Sequence, residues 1–197
     1  MTPLVVPLIY WVEAYHVSTM DVKVENIVAV ITLDAALDQE KIAKKVPGMV
    51  KPKRFPGLVY RVKNLKVAFL IFRTGKFICS GARNKETIHK ALRILMKKLY
   101  VVVRPKGKPK VEIVNTVSSA NLGFMVHLDR IAVESWDVEY EPEVFPGLVY
   151  RLDDPKAVML IFRSGKIIIA GTKNKEQAKQ AAEKTREMIK GLNAVLD

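Results

Sequence analysis

The alternation of apolar and polar residues along the chain predicts strands with amphipathic helices between them. Residues 22–33 are rich in β-branched side chains and alternate with period two, which is typical of a strand with one buried face. Residues 34–46 change to helical spacing, with Gly48 as the stop signal. Four more strands are predicted over 49–54, 58–62, 67–72 and 77–80. Asn84 then caps a long amphipathic helix.

This pattern occurs twice in the chain. Segment 55–61 is repeated without change as 145–151, and segment 70–76 recurs as 160–166 with one substitution. Over 32 aligned positions, 19 residues are identical, which is far more than chance gives. The period of about 90 residues is longer than that of a solenoid and has the size of a small domain.

The duplication divides the chain into an N-terminal extension, 1–19, a first repeat, 20–107, and a second repeat, 108–197. Each repeat is expected to be a small α+β unit made of a strand, a helix, four strands and a long helix. In the second repeat, the first strand is predicted at 111–117 or somewhat longer, and the helices at 128–136 and 174–192.

One face of the predicted sheet has no helix left to cover it. In the first strand, Val24, Asn26, Val28 and Val30 share one face, and Ile27, Ala29 and Ile31 share the other. The helices of each repeat cover one sheet face, and no further element remains to form a second core layer. An open apolar face of this size marks a binding site. The residues expected on it are Asn26, Val28, Leu70, Phe72, Ile78, Ser80, Asn115, Val117, Leu160, Phe162, Ile168 and Ala170.

The charge of the chain suggests an anionic partner, either nucleic acid or a membrane surface. The formal net charge is +13. Residues 20–107 hold 20 basic and 6 acidic side chains, whereas residues 108–197 hold 13 of each. A basic face that is merely solvated is the alternative. The apolar start, 1–17, is too short and too interrupted to cross a bilayer and lacks the basic beginning of a signal peptide. One hypothesis is that Met20 is the physiological start.

The sequence does not favour an enzyme, a metal site or a bound cofactor. The three histidines, His16, His89 and His127, are far apart and lack the spacing of metal ligands. No glycine-rich phosphate loop or nucleophile–base arrangement is found. The single cysteine, Cys79, lies in an apolar run and is expected to be a buried, inert thiol.

The chain resembles the TATA-box-binding protein family over residues 20–192. The motifs that carry the resemblance are 25–29, 53–55, the two Leu-Ile-Phe-x-x-Gly-Lys segments and 140–151. The resemblance implies a ten-stranded antiparallel saddle with its helices on the convex face. It also implies a general initiation factor of archaeal type that binds and bends TATA-box DNA through the minor groove. Such a factor would be cytoplasmic and associated with the chromosome in the nucleoid.

The resemblance assigns roles to individual residues. It implies two pairs of intercalating phenylalanines, for which the family is a standard example: Phe55 with Phe72 and Phe145 with Phe162. Asn26 and Asn115 match the pair that hydrogen-bonds base acceptors. Groove contacts are implied for Val28, Val117, Leu70, Leu160, Ile78, Ile168, Ser80, Ala170, Pro56 and Pro146. Phosphate contacts are implied for Arg61, Arg73, Lys76, Arg83, Arg151, Arg163, Lys166 and Lys173.

The sequence departs from the family pattern at several positions. Ser80 and Ala170 stand where the family usually has threonine, and Thr116 replaces an apolar residue. Arg73 and Arg163 replace small residues beside the phenylalanines Phe72 and Phe162. These changes suggest a divergent paralogue whose DNA binding is more electrostatic and less base-specific, with a steeper dependence on salt.

Two acidic residues, Glu141 and Glu143, occupy positions where the first repeat has Lys51 and Lys53. The resemblance implies that this acidic loop binds transcription factor B, which in turn brings RNA polymerase. A partner that recognises one half only would give the pseudo-symmetric molecule a direction on DNA. The apolar face would also favour a homodimer in the absence of DNA. The alternatives are a nucleic-acid domain that works with an enzyme and an adaptor that binds proteins only.

Overall fold

The computed structural model describes residues 20–196. The predicted N-terminal extension, 1–19, and the question of whether translation starts at Met20 therefore lie outside the described residues. Within these residues there are four α-helices, α1 (Gln39–Lys45), α2 (Lys85–Leu99), α3 (Leu128–Glu134) and α4 (Lys175–Gly191), and a short 3₁₀ helix at Lys63–Leu65. The twelve strands are β1 (Lys23–Thr32), β2 (Met49–Val50), β3 (Leu58–Val62), β4 (Val67–Ile71), β5 (Lys76–Ala82), β6 (Lys110–Asn121), β7 (Met125–Val126), β8 (Val138–Glu139), β9 (Leu148–Leu152), β10 (Ala157–Ile161), β11 (Lys166–Thr172) and β12 (Val195–Leu196).

Ten of the strands form one antiparallel sheet with the order β2-β3-β4-β5-β1-β6-β11-β10-β9-β8. Each repeat contributes one half of the sheet, with its strands in the equivalent order. The first strands of the two repeats, β1 and β6, pair with each other at the centre. This confirms the predicted saddle-like open sheet. A separate two-stranded sheet, β7 with β12, was not predicted and ties the C-terminal segment to the second repeat.

The hydrophobic core consists of two clusters, one under the helices of each repeat. Ile27, Ala29 and Ile31 of β1 are buried in the first cluster together with the inward side of α2. The second cluster lies between β9–β11 and the small residues of α4, such as Ala178 and Ala181. All four helices therefore lie on one face of the sheet, which leaves the other face open.

Some elements begin or end at other residues than predicted, and capping or turn hydrogen bonds explain the difference. The first helix begins at Gln39 instead of 34, because the Asp38 carboxylate accepts a hydrogen bond from the Lys41 N–H and caps it. The strand predicted over 49–54 ends at Val50, because Pro52 accepts a hydrogen bond from the Phe55 N–H in a turn. The predicted cap Asn84 is confirmed, and Asn174 caps α4 in the same way, since each accepts a backbone N–H three residues on, at 2.8 Å.

The central strands contain a pair of β-bulges that sequence periodicity does not reveal. In the β1–β6 pairing the register shifts between Val24 and Asn26, and again between Val28 and Ala29. Val24 therefore packs against the core, and its predicted place beside Asn26 on the open face is wrong. Asn26 and Val28 keep their predicted face.

The core of the second repeat is more polar than that of the first. Thr116, Ser118, Thr172 and Thr185 are buried. Their counterparts in the first repeat are Ile27, Ala29, Ala82 and Leu95. The Thr185 hydroxyl donates to the Ala181 carbonyl at 2.8 Å, but the Ser118 hydroxyl has no hydrogen-bond partner among the described residues.

Candidate nucleic-acid interface

The open face carries two equivalent rows of apolar side chains that run across the strands. In the first repeat, strand register places Val30 opposite Ile78, Ile78 opposite Leu70, and Leu70 opposite Val59. In the second repeat the matching row is Ser119, Ile168, Leu160 and Val149. All eight side chains are half-buried, because they lie on the sheet but under no other element. The face is therefore a continuous, mostly apolar surface.

A pair of phenylalanines stands at each end of this surface. The rings of Phe55 and Phe72 meet edge to face, with centroids 5.7 Å apart, and those of Phe145 and Phe162 do the same at 5.9 Å. The four residues that the resemblance assigned as wedges are thus brought together in two pairs. Phe145 is the most exposed of them, at 37%.

Glycines make room for these rings. A Cβ atom on Gly57 would lie 2.7 Å from the Phe55 ring, and one on Gly147 would lie 2.7 Å from the Phe145 ring and 3.0 Å from the Phe162 ring. The Phe-Pro-Gly sequence of each repeat therefore places a large ring directly over a residue without a side chain. Pro56 and Pro146 are exposed beside the rings.

An apolar hollow of about 440 Å³ opens on the face next to the first phenylalanine pair. It is lined by Val30, Pro56, Phe72 and Ile78, and its outer margin is basic, with Arg73 and Lys76. A hydrophobic floor with a cationic rim fits a ligand that is apolar in its middle and anionic at its edge.

The two central asparagines are held in a fixed orientation by backbone hydrogen bonds. The Asn26 Oδ1 accepts the Gly81 N–H at 2.7 Å, and the Asn115 Oδ1 accepts the Gly171 N–H at 2.9 Å. Gly81 has a φ of +99°, and a Cβ there would lie 2.2 Å from the Lys66 carbonyl oxygen. Because each oxygen is occupied, the Nδ2 amide group of each side chain remains as a hydrogen-bond donor. The centre of the face therefore offers donors.

The remaining predicted groove residues also reach the open face. Val28, Val117, Ser80 and Ala170 are half-buried there, with Ser80 paired in register to Ala68 and Ala170 to Val158. Thr116 differs from them, because it is 2% exposed and its carbonyl accepts the Thr172 hydroxyl. The side chain of Thr116, one of the departures from the family pattern, therefore belongs to the core.

Every residue predicted to contact phosphate is exposed: Arg61, Arg73, Lys76, Arg83, Arg151, Arg163, Lys166 and Lys173. Two of them already have acidic partners. Arg83 lies 3.2 Å from the Glu25 carboxylate, and Arg151 lies 3.1 Å from that of Glu139. By strand register, the residue of the first repeat that corresponds to Glu139 is the uncharged Val50, so the two halves differ in available positive charge.

The acidic loop of the second repeat is exposed and directly precedes Phe145. The Glu141 carbonyl accepts the N–H groups of Val144 and Phe145, both at 2.9 Å, which turns the chain into Phe145. Neither Glu141 nor Glu143 forms an ion pair with another described residue. In the first repeat, Lys51 instead pairs with Glu40.

Several residues of the face were missed in the sequence. Val59, Val149, Ala68, Val158 and Ser119 all lie on it. The signal was present, because each alternates with buried neighbours along its strand. Ser119 continues the alternation of Asn115 and Val117 on β6, beyond the irregularity between Ile113 and Asn115.

Three further features of residues 20–196 concern metal ligands, membrane-spanning helices and the single cysteine. In that range no group of three or more histidine, cysteine, aspartate or glutamate side chains could hold a metal ion. No helix in the same range is long and apolar enough to cross a membrane. Cys79 is fully buried, and this burial raises the pKa of its thiol to about 11.

Comparison with known proteins agrees with this geometry. The family model for transcription factor TFIID (or TATA-binding protein, TBP) matches residues 21–102 and 110–192. TATA-box-binding protein 2 of Haloferax volcanii is 45% identical over 175 residues, which are 87% of this chain and 94% of that protein. The TATA-box-binding protein of Sulfolobus acidocaldarius is 41% identical over 176 residues, with coverage of 88% and 89%. Among solved structures, Methanococcus jannaschii TBP matches with a TM-score of 0.81 at 43% identity, over 87% of this chain and 99% of that one. The chain therefore belongs to the TATA-binding protein family.

Proposed function

We propose that this protein is a general transcription initiation factor that binds A·T-rich promoter DNA through the minor groove and bends it. The observation that carries the proposal is the open apolar face, with hydrogen-bond donors at its centre and a phenylalanine pair at each end. The relatives named above are TATA-box-binding proteins, which supports the same target. The protein would act on the chromosome in the cytoplasm.

The chemistry of the face matches an A·T minor groove. An A·T pair shows only the acceptors adenine N3 and thymine O2 there, whereas a G·C pair adds the donor N2 amino group of guanine. The free Nδ2 donors of Asn26 and Asn115 suit the acceptors. The aliphatic side chains of the rows offer no acceptor for a guanine amino group, so a G·C pair against them would leave that group desolvated and unpaired.

The phenylalanine pairs provide the means of bending. Insertion of a ring between base pairs costs a few kcal/mol of unstacking, which is offset when the bent duplex touches more of the protein. Insertion requires that the rings of both pairs are accessible to the DNA at the ends of the apolar rows. Their partial exposure permits this. The surrounding basic residues would bind phosphates and make the affinity depend on salt.

We assign the docking of transcription factor B to the acidic loop around Glu141 and Glu143, with RNA polymerase recruited through that factor. The loop is exposed, unpaired among the described residues, and present in one repeat only. Charge complementarity at such a surface contributes mainly specificity and association rate. Without DNA, the apolar face would favour self-association, which sedimentation of the free protein measures.

Binding to three duplexes tests the proposal. The first duplex carries an A·T-rich site, the second has inosine·cytosine pairs in its place, and the third has guanine·cytosine pairs. Inosine lacks the N2 amino group, so the second duplex looks like A·T in the minor groove but like G·C in the major groove. We expect tight binding to the first two and much weaker binding to the third. Equal rejection of the second and third duplexes would overturn minor-groove recognition, and no binding to any duplex, with transcription factor B present, would favour an adaptor that binds proteins only.

A further inference from the structure

Two large apolar side chains are left exposed in the second repeat, where α3 ends. The Trp136 side chain is 100% exposed and that of Val133 is 86% exposed; the two are called here the α3 patch. Neither belongs to a core cluster or packs against one, so the fold does not account for them. A covered tryptophan buries about 150–250 Å², and tryptophan is enriched among the residues that dominate protein–protein binding. The α3 patch therefore has the composition of a docking site.

The chain around the α3 patch is strongly acidic. Residues 129–143 hold six acidic side chains and one basic side chain, Arg130. Two of the acidic side chains pair with arginines, but Asp137, which adjoins Trp136 in the chain, forms no ion pair with another described residue. An indole among carboxylates suits a cationic partner, because the carboxylates attract the cation and the ring face binds it.

The same end of the first repeat has the opposite character. The helices α1 and α3 have the same length, and β2 and β8 begin four residues after they end. The counterparts of Val133 and Trp136 are therefore Lys44 and Pro47. Residues 40–53, all of them described, hold five basic side chains and one acidic side chain, which reverses the balance of the second repeat. A basic partner surface with an apolar contact therefore fits one end of the sheet only.

One partner surface can cover both the α3 patch and the acidic loop. The edge strand β8 lies between them in the chain, and Glu141 follows Trp136 by five positions. Five residues span at most about 18 Å. A standard interface covers about 800 Å² on each partner, which corresponds to a circle about 32 Å across.

We infer that the α3 patch is the apolar anchor of the surface on which transcription factor B docks, with Trp136 stacked against a basic segment of that factor. The inference rests on the proposed docking at the acidic loop and adds a second kind of contact to it. The carboxylates attract the factor and raise its association rate. The indole is buried on contact and slows dissociation.

Dissociation of the factor from the protein–DNA complex tests the anchor. Trp136→Ser and Val133→Ser are compared with Val101→Ser, which removes an apolar side chain that is 72% exposed two residues after α2 ends. We expect about 30-fold faster dissociation for Trp136→Ser, the scale of a hot-spot residue, and several-fold faster dissociation for Val133→Ser. Val101→Ser should dissociate like the unaltered protein. Because all three side chains are exposed, the melting temperature and the DNA affinity should not change.

Neutral substitutions in the acidic loop separate the two kinds of contact. Glu141→Gln combined with Glu143→Gln should slow association and reduce its dependence on salt. Trp136→Ser should leave the association rate and its salt dependence unchanged. A Trp136→Ser variant that slowed association and kept the dissociation rate would overturn the role of the indole as an anchor.

A label on the indole reports its burial. The chain has two tryptophans, and Trp11→Phe leaves Trp136 as the single position for 5-fluorotryptophan. We expect its ¹⁹F resonance to shift when the factor joins the protein–DNA complex and to change little with DNA alone. A shift with DNA and none with the factor, or equal dissociation rates for Trp136→Ser and Val101→Ser, would overturn the inference. If the factor does not bind the unaltered protein–DNA complex, the proposed docking itself fails, which is a different outcome.

Discussion

The side-chain oxygen of Asn26 accepts a hydrogen bond from the backbone N–H of Gly81 at 2.7 Å, across the β1–β5 pairing. The same bond recurs between Asn115 and Gly171 in the second repeat. It fixes which end of each carboxamide faces outward, so that a sheet built mostly of aliphatic residues offers two directed donors at its centre. A substitution that removes the Nδ2 donor but keeps the Oδ1 acceptor should therefore weaken DNA binding without weakening the fold.

Asn26→Asp is such a substitution. The aspartate keeps an oxygen for the Gly81 N–H, but it places an acceptor with negative charge where the face should donate. We expect DNA affinity to fall by about 1–3 kcal/mol, roughly 5-fold to 150-fold, the scale of a lost base contact. The melting temperature should change little. Fluorescence anisotropy and thermal unfolding measure the two effects, and Asn115→Asp should behave alike. Binding as tight as that of the unaltered protein would remove the asparagines from the interface.

Gly147→Ala tests whether the Phe145 ring requires a residue without a side chain beneath it. The new Cβ would contact only ring atoms of Phe145 and Phe162, at 2.7 and 3.0 Å, and no backbone within that range. Moving well-packed rings costs about 1–3 kcal/mol, and the cost here should appear as weaker DNA binding with a smaller bend. The control is Gly191→Ala, where a Cβ would meet nothing within 4 Å. Equal DNA bending by both variants would contradict the role of Gly147.

Glu141→Arg combined with Glu143→Arg should spare DNA binding and abolish the ternary complex with transcription factor B. Both side chains are exposed and unpaired within residues 20–196, so their reversal disturbs no contact of the fold. The matched control reverses Glu176 and Glu187 on α4. Gel shifts with and without the factor report both steps. Parallel loss of DNA binding and of the ternary complex would show that the loop acts on DNA instead.

Ser118→Ala should stabilise the protein. The Ser118 hydroxyl is buried without a partner among the described residues, and its counterpart in the first repeat is Ala29. An unsatisfied buried polar group costs about 1–3 kcal/mol. We therefore expect the melting temperature to rise by several degrees, at about 2–4 °C per kcal/mol for a domain of this size. Ser80→Ala, on the open face, is the matched control and should have little effect. A lower melting temperature for Ser118→Ala would mean that the hydroxyl has a bonding partner, such as a buried water.

Most of the fold could be predicted from the sequence, because the duplication and the strict alternation in strands such as β4 and β5 leave few arrangements. The order of elements in each repeat is confirmed, and so is the cap Asn84. The short strands β7 and β12 were missed, since two-residue pairings have no periodicity of their own.

The site was less fully predictable, because its details depend on contacts between distant residues. The β-bulge at the start of β1 places Val24 against the core, and this bulge follows from strand pairing instead of composition. The ion pairs of Arg83 and Arg151 likewise join residues 58 and 12 positions apart. No motif signals such pairs.

The central claim is that the phenylalanine pairs kink a duplex held on the open face, and the end-to-end distance of the bound DNA tests it most directly. Energy transfer is measured across an A·T-rich duplex labelled at both ends, with saturating protein. The account predicts a marked rise in transfer with the unaltered protein and a much smaller rise with Phe72→Ala combined with Phe162→Ala at equal saturation. No rise with the unaltered protein, or an equal rise with the variant, would contradict it.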